Sequence, residues 1–132
     1  MTVFDTNILI YFLEHHPTLY KTARRALEKA ISTDGFFACS ALSVSEVLQG
    51  PAPQADIVDF FKQPQVTILP LTDEIAYLSG QISQAKRLKT PDAVIVATAL
   101  YQPDAHLVTN DMKLLKLDLG LSVSSLQMFG SA

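Results

Sequence analysis

The chain carries a single cysteine, no excess of basic residues and no apolar run that approaches the length of a membrane span. Each of these shortages excludes something. Cys39 has no intrachain partner for a disulfide, and its neighbours Phe36, Phe37 and Ala38 read as the surroundings of a buried small hydrophobe in a reducing compartment. The opening stretch MTVFDTNILIYFLEHH lacks a basic leader and a small-residue cleavage pattern, so a cytoplasmic protein with no membrane role is expected. A net charge of −3 argues against a protein that coats nucleic acid by bulk electrostatics. It leaves open an enzyme that touches nucleic acid briefly, and it would suit a basic partner. Internal repeats and dividing linkers are also lacking, which points to one domain over residues 1–132.

What is present is a core. Apolar residues make up 48% of the 132, enough for a domain that buries about two-thirds of its unfolded surface. Short β-branched or aromatic runs predict strands at Thr2–Asp5, Phe36–Cys39, Val66–Leu69, Leu107–Thr109 and, more faintly, Ser122–Ser124. Between them, helical spacing predicts Ile8–Leu13, Thr18–Ser32, Thr72–Leu88 and the short Met112–Leu117. Ala93–Tyr101 is ambiguous, since Val94-Ile95-Val96 alone suits a strand. The preceding Thr90-Pro91-Asp92 decides for a helix: a capping residue, a proline at the first helical position and a carboxylate in the first turn. Alternating strands and helices give an α/β fold with a parallel sheet covered on both faces.

Four acids stand out, each with a plain structural alternative. Asp5 follows a strand and could simply cap the helix at Ile8–Leu13. Glu46, in Ser43-Val44-Ser45-Glu46, fits a capping box. Asp92 could complement a helix dipole, and Asp111 could close a turn or cap Met112–Leu117. Their placement is less plain when taken together. In an open parallel sheet, segments leaving the carboxyl ends of the strands share one crevice, and all four acids lie where they can face it. Two unit charges about 5 Å apart repel by about 3 kcal/mol at an effective dielectric of about 20, whereas a helix N-terminus returns only about 0.3–1 kcal/mol. Protons or cations must supply the difference. An all-oxygen donor set favours Mg²⁺ or Mn²⁺ over zinc, and no Cys or His pattern offers a zinc site. Carboxylate-held Mg²⁺ suits phosphodiester hydrolysis.

With these residues in view, the chain resembles the PIN-domain ribonucleases, especially the VapC type of toxin from prokaryotic toxin–antitoxin pairs. The likeness spans almost the whole chain. It rests on Val3-Phe4-Asp5-Thr6-Asn7-Ile8-Leu9, on Ser43–Gly50 with Glu46, on Thr90 to Ala99 with Asp92, and on Leu107-Val108-Thr109-Asn110-Asp111. The resemblance implies a three-layer α/β/α sandwich around a parallel sheet of four to five strands, with Asp5, Glu46, Asp92 and Asp111 holding Mg²⁺ or Mn²⁺ for endonucleolytic RNA cleavage. It also implies Thr6, Asn7 and Thr109 as polar helpers, a homodimer and a small cognate antitoxin.

Other residues have plainer readings. Lys21, Arg24, Arg25 and Lys29 form a solvated helix face, while Lys86, Arg87 and Lys89, just before Asp92, are better placed to touch RNA. His15 and His16 suit a helix C-terminus, His106 carries no catalytic signal, and Asp104 reads as a turn residue. The run Ile8–Leu13 is mostly core, with part of it available to an antitoxin or dimer groove. Val3-Phe4-Asp5 also resembles the strand-end nucleophile of haloacid-dehalogenase-like phosphatases, but Asn7 stands where that family has a second aspartate. A PIN-like module that binds RNA or protein without cutting is the other alternative; a retired site would not need all four acids.

Overall fold

Successive residues of a strand face opposite sides of a sheet, and the first strand already divides its neighbours, Phe4 joining one apolar cluster and Val3 the other. The computed structural model describes residues 1–130; the last two residues of the expected domain lie outside the described residues. Five strands, β1 (Thr2–Phe4), β2 (Phe37–Ser40), β3 (Val66–Leu69), β4 (His106–Thr109) and β5 (Ser122–Ser125), lie within one residue of their expected ends. They pair in parallel throughout, in the order β3-β2-β1-β4-β5. The chain therefore runs outward from β1 to β3 and then crosses back to place β4 on the other side of β1. That reversal puts the topological switch between β1 and β4, where the carboxyl ends of an open sheet leave a crevice.

Helices cover both faces, giving the three layers. One face buries Phe4, Phe37, Cys39 and Val108 beneath α1 (Thr6–Leu13), α2 (Tyr20–Asp34), α4 (Gln54–Phe61) and α8 (Leu126–Gly130). The other buries Val3, Ala38 and Leu107 beneath α6 (Thr90–Leu100) and α7 (Met112–Lys116), with α5 (Asp73–Lys86) packed on α6. The ambiguous apolar segment is helical as expected. All seven residues from Ala93 to Ala99 are buried, and the hydroxyl of Thr98 donates back to the Val94 carbonyl at 2.7 Å.

Several local expectations are corrected. The residue that caps α3 (Ala41–Leu48) is Ser40, whose hydroxyl accepts from the Leu42 N–H; Ser43 does not open a capping box, and Glu46 sits inside the helix. Lys89, not Thr90, precedes α6, so Thr90 and Pro91 both belong to its first turn, where a missing N–H costs no helical bond. The first helix ends at Leu13, and His16 then serves the next one: its Nδ1 accepts from the N–H groups of Thr18 and Leu19, which delays α2 to Tyr20. The sequence pattern gave no warning of α4 and α8.

Candidate active site

Asp5 leaves β1 and caps α1. Its Oδ1 accepts from the Thr6 N–H at 2.7 Å, and its Oδ2 accepts from the Thr109 hydroxyl at 2.7 Å, across the β1–β4 switch. Only 6% of Asp5 is exposed. Burial raises its carboxyl from 3.8 to about 6; the bonds from Thr109 and Thr6 oppose this, and the charges of Asp92 and Asp111 add to it. The Thr109 hydroxyl also accepts from the Asp111 N–H at 3.0 Å. One buried hydroxyl thus links the first acid to the fourth.

Glu46 approaches from α3, on the other side of β1. Thr6 donates to Glu46 Oε1 at 2.6 Å, and its hydroxyl lies 2.8 Å from that of buried Ser43. Thr6 therefore fixes Asp5 through its backbone and Glu46 through its side chain. Asp92, in the first turn of α6, is raised by partial burial and then by the charges of Asp111 and Glu46, while Lys113 and Lys89 pull it down. Asp111 caps α7, its Oδ1 accepting from the N–H groups of Lys113 and Leu114 at 2.8 and 3.4 Å.

Asp5, Thr6, Asn7, Glu46 and Asp92 line one cleft of about 240 Å³, with Ile10 and Ile95 as apolar wall. Asp111 does not line that cleft, but its charge reaches both Asp5 and Asp92. Thr109 sits fully buried beneath it. A larger cavity, about 510 Å³, opens near the starts of β4 and β5, and Asp104 is its one ionisable residue. The acidic cleft is at the other end of the sheet.

Among the described residues, no ion pair involves any of the four acids. Nor do any three Asp, Glu, His or Cys side chains lie close enough to close around one ion unaided. Mg²⁺ gives up its waters reluctantly and is usually held by one or two carboxylates with water completing the octahedron. The carboxylates that line the cleft, Asp5, Glu46 and Asp92, offer oxygen donors alone, and such a set fits a hydrated hard cation and does not fit zinc.

Some candidates are absorbed by the fold. Lys29 donates to the Phe129 carbonyl and stands 4.6 Å over its ring, tying α2 to α8, and Arg24 pairs with Glu28 on the surface. His106 lies between the hydroxyls of Ser122 and Ser124 on the neighbouring strand. Asp104 takes a left-handed turn conformation, φ 55°. Of Ile8–Leu13, Ile8 and Leu9 are core, Ile10 faces the acidic cleft and Phe12 lines a separate apolar groove of about 320 Å³. From sequence Ser43 reads only as a helix cap and Lys113 has no assigned role, because the contacts with Thr6 and Arg87 span 37 and 26 residues.

The sequence profile of the PIN domain family matches residues 2–119. No curated protein matches the chain. Among solved structures, the fold is similar to a toxin-antitoxin complex from Klebsiella pneumoniae, with 26% identity, 96% of this chain and 98% of that chain covered, and a TM-score of 0.74. It is also similar to VapBC from Salmonella typhimurium, solved with DNA bound, with 18% identity, coverage of 95% and 97% and a TM-score of 0.73. VapBC2 from Rickettsia felis, bound to a fragment of its promoter, shares 19% identity over 94% of this chain and 97% of that chain, with a TM-score of 0.70.

Proposed function

The chain belongs to the PIN domain family, and from that premise we propose that it is a metal-dependent endoribonuclease, the toxin of a type II toxin–antitoxin pair. Asp5, Glu46, Asp92 and Asp111 are its metal-holding acids, and Thr6, Asn7 and Thr109 are polar residues that serve them. The observation that carries this reading is that Asp5, Glu46 and Asp92 line one cleft beside the β1–β4 switch, with the charge of Asp111 reaching Asp5 and Asp92 and with burial raising both of those carboxyls.

When bound, Mg²⁺ or Mn²⁺ lowers the pKa of an attacking water and offsets charge on the phosphoryl oxygens. The protein's own part is to orient. Thr6 and Thr109 hold both oxygens of Asp5, and Thr6 also holds Glu46, so the acids keep their aim when no substrate is present. Asn7, exposed at the mouth of the cleft, offers a neutral amide to a phosphate or sugar. Ile10 and Ile95 keep one wall dry.

The similarity to toxin-antitoxin complexes supports a cognate antitoxin as partner; a cytoplasmic homodimer with one nuclease domain per chain is part of the same proposal. The test is cleavage of a broad RNA pool in Mn²⁺ by wild type and by Asp92→Asn, beside turnover of a chromogenic phosphate ester. Cutting by wild type, lost in Asp92→Asn, is the expected result. A wild type that binds RNA but cuts none would mark a binding module, and ester turnover without RNA cleavage would mark a phosphatase; either sinks the proposal.

A further inference from the structure

Asp92 and Asp111 reach the site on different helices, α6 and α7, and among the described residues no side-chain hydrogen bond joins them. One residue nevertheless touches the framework of both. The backbone N–H of Lys113 donates to Asp111 Oδ1 at 2.8 Å, and its Nζ donates to the Arg87 carbonyl at 2.7 Å. Arg87 ends α5 in the left-handed conformation, φ 55°. A carbonyl at that position has left the helical ladder and lies at the negative end of the helix, where an ammonium is the favoured partner.

The turn that receives this bond is itself fixed. The Leu88 N–H donates to the Ser83 carbonyl at 3.2 Å, and the Ser83 hydroxyl donates to the Leu88 carbonyl at 2.6 Å, closing the turn on α5. Leu88 is buried, Lys89 follows, and α6 then begins with Asp92 in its first turn. Lys113 therefore spans from the cap of α7 to a closed turn five residues before Asp92. An ammonium has three donors, and the carbonyl uses one.

We propose that Lys113 is a positioning residue that fixes the separation of the Asp92 and Asp111 carboxylates, so that both can serve one hydrated divalent cation. This rests on the metal-holding role proposed above for those acids. A different role, simple counter-charge, makes the opposite prediction. A lysine that merely neutralised the acids would compete with the cation, and its removal would tighten metal binding; removing a strut weakens it.

The deciding experiment is calorimetric titration with Mn²⁺ alone, without RNA, of wild type, Lys113→Met, Lys113→Gln, Lys113→Arg and Asp5→Asn. Both neutral variants are expected to bind Mn²⁺ about tenfold more weakly, the usual cost of removing a residue that orients metal ligands. Lys113→Arg, which keeps the donor and the charge, should recover most of the affinity. Melting in chelator should match wild type, and in RNA cleavage the loss should appear in kcat more than in KM. Unchanged or tighter Mn²⁺ binding in both neutral variants overturns the positioning role, while loss of binding in Asp5→Asn leaves the metal reading standing. Wild-type binding in Asp5→Asn instead removes the metal reading itself.

Discussion

Asp5 shows what the site costs at the scale of one residue. Its carboxyl titrates near 3.8 in an unfolded chain and at about 6 in the fold, chiefly because burial disfavours the charge. Below pH 3.8 the proton is bound in both states and the site costs nothing; between 3.8 and 6 the folded form alone holds it, so stability falls as pH rises through this window and levels off above. The full rise is worth about 3 kcal/mol. Asp5→Asn, which cannot ionise, should therefore be more stable than wild type at pH 7.5 in chelator and no more stable at pH 3.5. Urea denaturation at the two pH values checks this, and a wild type with no such slope would refute it. Thr109→Val is the companion change: it removes the donor to Asp5 and the acceptor for the Asp111 N–H from a fully buried place. A loss of about 1–3 kcal/mol is expected by the same measurement. Asp5 was legible in the sequence because a polar residue at the end of an apolar strand is conspicuous. Ser43 was not, since its importance comes from a contact with Thr6 that only the folded β1–α3 neighbourhood creates.

Among the elements, helix starts explain why each acid also had an ordinary reading. Asp5 caps α1 and Asp111 caps α7, so the structural and functional readings coincide there: the cap bond is what aims the carboxylate. Glu46 departs from this pattern, being held mid-helix by Thr6 and not by its own helix end. Helix α6 carries Asp92 and is buried along seven consecutive residues, so its small side chains set how near the sheet it can lie. Ala97→Leu should overpack that layer, destabilise by about 1–3 kcal/mol and displace Asp92 enough to cut RNA-cleaving activity, whereas Tyr101→Ala, on the exposed end just beyond α6, should do neither. Thermal melting and cleavage assays on the two variants distinguish them. The sequence revealed α6 through Thr90-Pro91-Asp92, although the capping position was misplaced by one residue. It concealed α4, an eight-residue helix with only Ile57 and Phe61 buried, and α8, which is five residues long; neither has enough turns to establish a period.

Strand order is a property of the whole molecule, and no local pattern encodes it. The sequence showed five strands, but whether Asp5 and Asp111 would meet depended on β4 returning beside β1. Once it does, the fold brings near one another acids that repel, and on the proposed metal-holding role a cation would offset that cost. Two opposite effects then belong to the same residue. In chelator at neutral pH, Asp5→Asn should melt above wild type, because the unfavourable charge is gone. With Mn²⁺ at about a hundred times its Kd, wild type should gain about 2.7 kcal/mol through ligand binding to the folded state alone, while Asp5→Asn gains little. The two melting curves should therefore move toward each other, and cross if metal binding outweighs the cost of burying the charge. A thermal shift series in chelator, Mg²⁺ and Mn²⁺ measures this directly. If Mn²⁺ raised the Tm of both proteins equally, the cation would be binding elsewhere on an acidic surface, and the carboxylates at the β1–β4 switch would have to be neutralised by protons instead.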